Sequence, residues 1–154
     1  MALGVTTCTQ GIYDAFLSDD KLKTLFHGHS FTANPVACSS ALASMDIFLE
    51  NATAQSIQRI TEQNAAFAER IKGISKLKAV RQTGTILAME WETGANTSYF
   101  SSLRDTLYQY FLKAGIILRP LGNVIYILPP YCISNDDLHY IYGTIEKALS
   151  EIGD

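Results

Sequence analysis

With 154 residues, 47 % apolar and 18 % charged, the chain is long enough to bury a core and too apolar to be disordered. Its net charge of −3, without a basic stripe, argues against nucleic acid or an anionic membrane as the main partner. No apolar run reaches the roughly 18 residues of a membrane span, and Met1-Ala2-Leu3-Gly4-Val5 lacks the basic start and apolar block of a signal peptide. Cys8, Cys38 and Cys132 are odd in number, widely spaced and out of metal-ligand register with His27, His29 and His139. Reduced thiols in a cytoplasmic protein that binds no metal are expected.

The pattern along the chain predicts a strand over Leu3–Thr9 and a short helix over Thr9–Leu17. A chain that opens inside a strand is expected to be part of a longer one. A polar turn follows at Ser18–Lys23, then a loop from Phe26 to Pro35. Asn34 can cap the next helix and Pro35 suits its first turn. That helix, Val36–Asn51, is rich in alanine and serine, which allows close backbone approach. A second helix spans Ala54–Lys72, with Ile57, Ile60, Phe67 and Ile71 on one face, Asn64 interrupting the stripe and Gly73 closing it. Leu77–Arg81 and Thr85–Glu92 read as strands around a turn at Gly84. A third helix, Tyr99–Ala114, buries Phe100, Leu103, Leu107 and Phe111 and ends at Gly115. Short strands at Ile116–Leu118 and Val124–Ile127 flank Arg119-Pro120-Leu121-Gly122-Asn123, and Pro129-Pro130 stops the second. Ser134 and Asp137 form a capping pair for a last helix that buries Leu138, Ile141, Ile145 and Leu149. The order implies an α/β chain in which a small sheet is covered by helices on one side.

Three places can carry chemistry. Gly28-His29-Ser30 offers a glycine, a hydroxyl and loop amides, the ingredients of a phosphate cradle. The same residues describe an ordinary glycine loop ending in an N-cap, which the local sequence by itself favours. Arg119 can present a planar fork to a carboxylate, or pair with an acidic side chain at the surface. Its setting is stiff: Pro120 fixes the backbone, and Gly122-Asn123 is a turn dipeptide that would return Tyr126 to its side. Tyr126 can offer a hydroxyl to a ligand or serve as a buried aromatic. His27 and His29 have no third partner at a metal-binding spacing, and Asp19-Asp20 and Asp136-Asp137 read as turn and cap residues.

Together, His27-Gly28-His29-Ser30-Phe31-Thr32-Ala33-Asn34-Pro35 and the segment Gly115 to Tyr131 resemble the class III aminotransferases. The first is similar to the family's His-Gly-x-Thr-x-x-x-Asn-Pro pattern. The second is similar to its C-terminal hairpin, with Arg119-Pro120-Leu121-Gly122 and Pro129-Pro130. The resemblance covers the whole chain but only the last portion of the family's chain. It implies the C-terminal part of the fold type I pyridoxal-phosphate-dependent transferase fold. Residues 1–52 would end the large cofactor-binding domain and 53–154 would form the small domain. It also implies pyridoxal phosphate as cofactor and a homodimer with the site at the subunit interface. His29 and Ser30 would contact the cofactor phosphate, Gly28 would line the substrate pocket, Arg119 would pair with the substrate carboxylate and Tyr126 would lie near both substrates. Ser30 stands where threonine is usual, which keeps the hydroxyl. Tyr126 with Pro129-Pro130-Tyr131 points to the branch that uses S-adenosylmethionine as donor and 8-amino-7-oxononanoate as acceptor in biotin biosynthesis. The lysine that bears the cofactor matches none of Lys21, Lys23, Lys72, Lys76, Lys78, Lys113 or Lys147, so the chain alone is expected to be inactive. Two other readings are a class III enzyme for omega-amino acids, and a non-catalytic α/β interaction domain in which Ser30 and Arg119 are structural.

Overall fold

The computed structural model describes residues 2–93 and 102–152. It divides into two compact units, Met1–Glu50 and Asn51–Asp154. No described helix is long and apolar enough to cross a membrane.

The first unit holds helix α1 (Gln10–Phe16), a 3-10 turn at Lys21–Lys23 and helix α2 (Pro35–Phe48). Asn34 caps α2 as expected, its Oδ1 accepting from the amides of Val36 at 3.0 Å and Ala37 at 3.1 Å. The strand expected over Leu3–Thr9 does not form. Those residues are irregular, because a strand needs a neighbouring backbone to satisfy its amides and carbonyls, and no described strand pairs with them.

The second unit carries the core. Helix α3 (Asn51–Ile71) leads to strands β1 (Leu77–Thr83) and β2 (Ile86–Trp91), then helix α4 (Ser102–Lys113), strand β3 (Val124–Ile127) and helix α5 (Asn135–Glu151). The predicted helix start at Tyr99 and the stripe residue Phe100 lie outside the described residues. The strands form an antiparallel sheet in the order β1-β2-β3. Leu87 faces Ile127 and Met89 faces Ile125 across the β2–β3 pair. With Trp91, these side chains pack against Ile60, Phe67 and Ile71 of α3, Leu107 and Phe111 of α4 and Leu138, Ile145 and Leu149 of α5. The period-two alternation of β2 and the helical spacing of the three helices therefore meet on one face. The other face of β2–β3 carries the pairs Ala88–Tyr126 and Glu90–Val124.

Two expectations change here. Asn64 does not merely interrupt the stripe of α3. It is fully buried, accepts the Tyr142 hydroxyl at 2.7 Å and donates to the Thr85 carbonyl at 3.0 Å. Thr85 sits in the β1–β2 turn beside Gly84, whose φ is +53°. One polar chain thus joins α5, α3 and the hairpin inside the core. Burial pushes the Tyr142 phenol up to about 12, opposed by Arg70 and Arg59, so it stays a neutral donor. The second change is Ile116–Leu118, which is not a strand. Its first residue instead closes α4: Gly115, at φ +75°, donates to Leu112 O at 3.0 Å, and Ile116 donates to Phe111 O at 2.9 Å. This Schellman closure consumes the amide a ladder would need.

On the outer face, Lys78 and Arg81 of β1 lie 3.2 Å and 3.1 Å from the Glu90 carboxylate. The hydrogen bond from Lys78 does most to hold Glu90 below its ordinary value of 4.5; burial opposes it, and the charges of Lys78 and Arg81 add to the lowering. A depressed carboxylate stabilises the fold above its unfolded pKa, and that contribution is lost as pH falls through the folded value. Urea midpoints measured from pH 6 to pH 3, on the order of the carboxylate range, should therefore fall more steeply for the native chain than for Glu90→Gln; parallel slopes would refute this. Tyr142→Phe leaves the Asn64 carbonyl oxygen buried and unpaired. It should lower unfolding free energy by about 1–3 kcal/mol in equilibrium denaturation, and an unchanged value would mean the chain from Tyr142 to Thr85 is dispensable.

Candidate functional site

The site builds outward from the end of α4. After the Gly115 closure, the chain runs through Ile116, Ile117 and Leu118 to Arg119 and the fully buried Pro120. A tight turn follows, in which Leu121 N donates to Val124 O at 2.8 Å and Val124 N to Leu121 O at 3.0 Å. Gly122 takes φ +61°, a conformation that costs an L side chain roughly 1–2 kcal/mol. Asn123 is buried. Its side-chain Nδ2 donates to Trp91 O at 2.6 Å, and its carbonyl accepts from Trp91 N at 2.8 Å. The turn is thereby fastened to the last residue of β2.

This geometry brings two predicted residues together. Arg119, exposed, and Tyr126, half-buried, line one open cleft of about 570 Å³. The turn dipeptide Gly122-Asn123 returns the chain as expected, although only Val124–Ile127 beyond it is a strand. Ile117 and Leu128 line the same cleft and are 86 % and 59 % exposed. A cationic fork beside apolar walls suits an aliphatic acid: the guanidinium can take the carboxylate while the walls cover the carbon chain.

Sequence reasoning missed the opposite wall. Asp137 and Tyr140 of α5 also line the cleft. Their i, i+3 spacing, continued by Ile141, marks one helix face and was open to view. Asp137 is tied into the cap: the Ser134 hydroxyl donates to Asp137 Oδ2 at 2.6 Å, and Asp137 N donates to Ser134 Oγ at 3.0 Å. The Tyr140 hydroxyl donates to Ala114 O at 2.9 Å, which braces α5 against the turn that precedes Arg119. From behind, Arg59 donates to Ile133 O at 2.7 Å and Asn135 Oδ1 at 2.6 Å. Arg119 borders a second recess of about 440 Å³ with Arg104 and Tyr108.

Gly28, His29 and Ser30 belong to the first unit and are exposed. His29 Nδ1 accepts the Phe31 amide at 3.2 Å, so the imidazole braces its own loop, and His29 lines a recess of about 380 Å³ with Asn34. Among the described residues, neither the Ser30 hydroxyl nor the amides of His29 and Ser30 have a protein partner. Nothing stands within 4 Å of a Cβ placed on Gly28. Hydroxyl and amide donors in open space are the right chemistry for a phosphate dianion. The exposure of Ser30 runs against the reading in which it is a structural residue packed into its own core. No cluster of three or more His, Cys, Asp or Glu side chains able to hold a metal occurs among the described residues.

Comparison with known proteins places this geometry in context. A family model of class-III aminotransferases matches residues 1–149. The chain is 35 % identical over 152 residues to the adenosylmethionine-8-amino-7-oxononanoate aminotransferase of Synechococcus elongatus, covering 99 % of this chain and 35 % of that protein. It is 36 % identical over 160 residues to the enzyme of the same name from Geobacter sulfurreducens, again with 99 % and 35 % covered. The crystal structure of the Methanocaldococcus jannaschii enzyme of that name superposes with a TM-score of 0.82 at 29 % identity, covering 95 % of this chain and 34 % of that one. An omega-aminotransferase from Paracoccus denitrificans shares the fold, with a TM-score of 0.72 at 24 % identity over 85 % of this chain and 30 % of that one. The chain thus spans about a third of the length of the curated relatives it matches. On the match across residues 1–149, this chain belongs to the class III aminotransferases.

Proposed function

We propose that the chain supplies part of the active site of a pyridoxal-phosphate-dependent transaminase of biotin biosynthesis. The reaction moves an amino group from S-adenosylmethionine to 8-amino-7-oxononanoate, giving 7,8-diaminononanoate. The observation that carries this reading is the cleft shared by Arg119 and Tyr126. It lies in a chain whose 35 % and 36 % identical relatives are named for that donor and acceptor.

Arg119 anchors the acceptor's carboxylate through two parallel hydrogen bonds. Ile117 and Leu128 cover its carbon chain, and Tyr126 borders the reacting end. The contribution of these groups is orientation. Residues 1–52 end the cofactor-binding domain and 53–154 form the small domain. The Ser30 hydroxyl and the amides of His29 and Ser30 would hold the cofactor phosphate, and Gly28 keeps the substrate pocket open. In a homodimer, this loop serves the site of the neighbouring subunit. When bound, pyridoxal phosphate supplies an electron sink that eases proton loss beside the transferred nitrogen. The lysine that attaches the cofactor is assigned outside residues 1–154, and the activity to the longer protein. The free thiols of Cys8, Cys38 and Cys132 agree with a cytoplasmic location.

In the intact transaminase, Arg119→Ala should raise KM for 8-amino-7-oxononanoate by about tenfold or more while moving KM for S-adenosylmethionine less than about twofold, as loss of a charged hydrogen-bonded pair to one substrate requires. Equal effects on both substrates would remove Arg119 from the acceptor site. Ser30→Ala should weaken pyridoxal phosphate by about tenfold or more, since a hydrogen bond to a charged group is worth roughly 1.5–3 kcal/mol. Fluorescence titration of the cofactor-free enzyme reads this directly, and an unchanged Kd would take Ser30 out of the phosphate site.

A further inference from the structure

We propose that Tyr140 is an acceptor-specificity residue, its ring forming a fixed apolar wall against the carbon chain of the substrate whose carboxylate Arg119 takes. The inference rests on the acceptor site proposed above and adds the side chain that selects for the length of that chain.

Helix α5 turns a buried stripe to the core and polar groups to solvent. Its exposed positions are polar at Asp136, His139, Lys147 and Ser150, and Tyr140 departs from that pattern with 57 % of its surface exposed. A single large apolar group on a surface needs no explanation. Tyr140, however, lines one cleft with Ile117 and Leu128, which are also exposed. These side chains come from separate parts of the chain: the segment after α4, the residue after β3, and α5. Gathered around one cleft, they offer apolar surface on more than one side of whatever enters it.

The hydroxyl keeps the ring there. It donates to Ala114 O at 2.9 Å, a carbonyl just past the C-terminal end of α4. With the backbone of α5 at one end and this tether at the other, the ring cannot swing out of the cleft. As a brace the bond contributes little, because water can replace either partner at an exposed position. The ring is therefore the larger part of what Tyr140 supplies. Asp137, one turn earlier on the same wall, has its Oδ2 engaged by the Ser134 hydroxyl. Apolar contact on this side falls to Tyr140 and the half-buried Ile141.

Arg119 has an interaction of its own within the chain, and a carboxylate contact alone leaves the rest of a long, flexible acid free to move. Walls on either side order the carbon chain and favour each methylene they cover. An acid too short to reach the ring forgoes that contact. The acceptor is thus an extended aliphatic oxo acid, and selection against shorter homologues arises at Tyr140.

In the intact transaminase, Tyr140→Ala should raise KM for 8-amino-7-oxononanoate by about tenfold and leave KM for S-adenosylmethionine within about twofold. The preference for that acceptor over its homologue two methylenes shorter, taken as a ratio of kcat/KM values, should fall by about fivefold or more. Tyr140→Phe keeps the ring and loses only an exposed hydrogen bond, so both quantities should stay within about threefold of the native enzyme. Tyr140→Gln keeps bulk without the ring and should act like Tyr140→Ala; it decides the matter if Tyr140→Ala does not accumulate as folded protein. The proposal is overturned if Tyr140→Phe is as damaging as Tyr140→Ala, which would make the residue a brace only. It is overturned equally if the two acceptors are affected in the same proportion, or if KM rises for donor and acceptor together. A raised acceptor KM in Arg119→Ala with an unchanged preference in Tyr140→Ala would sink only the wall. Equal effects of Arg119→Ala on both substrates would remove the acceptor site, and the wall with it.

Discussion

The paired hydrogen bonds between Asn123 and Trp91 extend the β2–β3 ladder into the four-residue turn from Leu121 to Val124, which separates the two cleft residues. Arg119 precedes the turn and Tyr126 lies in the strand that leaves it. Tyr126 is aimed by the sheet, where it pairs with Ala88 on the face away from the core, while Arg119 lies outside the sheet. Fastening the turn where it is buried holds the backbone that follows Arg119 with groups that water does not reach.

The remaining walls of the cleft rely on the same device of polar groups tying irregular backbone to helices. The Tyr140 hydroxyl holds the C-terminal end of α4, and Arg59 of α3 holds Ile133 in the loop before α5 and Asn135 at the first turn of α5. Deeper in, the chain from Tyr142 through Asn64 to Thr85 locks the helices to the β1–β2 hairpin. Such buried polar chains stabilise little in net terms, yet each is costly to leave half-made. They specify one arrangement of α3, α5 and the sheet among the many that an apolar core would tolerate. An arrangement held that narrowly keeps α5 in place as one wall of the cleft.

Periodicity made most of the fold legible. The alternation of Leu87, Met89 and Trp91, the stripes of α3, α4 and α5, the cap at Asn34 and the closures at Gly73 and Gly115 are local signals, and the structure keeps them. Strands failed where the signal was only apolar content: Leu3–Thr9 has no described partner, and Ile116–Leu118 loses its ladder amide to a helix end. Pairing is a long-range property that neither segment records. The cleft was legible in part. Arg119 and Tyr126 were found because a turn dipeptide stood between them, whereas Asp137 and Tyr140 were hidden behind a capping role and a helical face with no obvious purpose. Asn64 looked like a defect because nothing local announces that Tyr142, far along the chain, supplies its partner. The roles proposed for Gly28, His29 and Ser30 rest on the family pattern together with their open donors.

The most direct measurement is a crystal structure of the intact enzyme with 8-amino-7-oxononanoate bound. Both carboxylate oxygens of the ligand are expected to lie about 2.7–2.9 Å from guanidinium nitrogens of Arg119. A ligand whose carboxylate is held by another cation, with Arg119 turned away from it, would contradict the account.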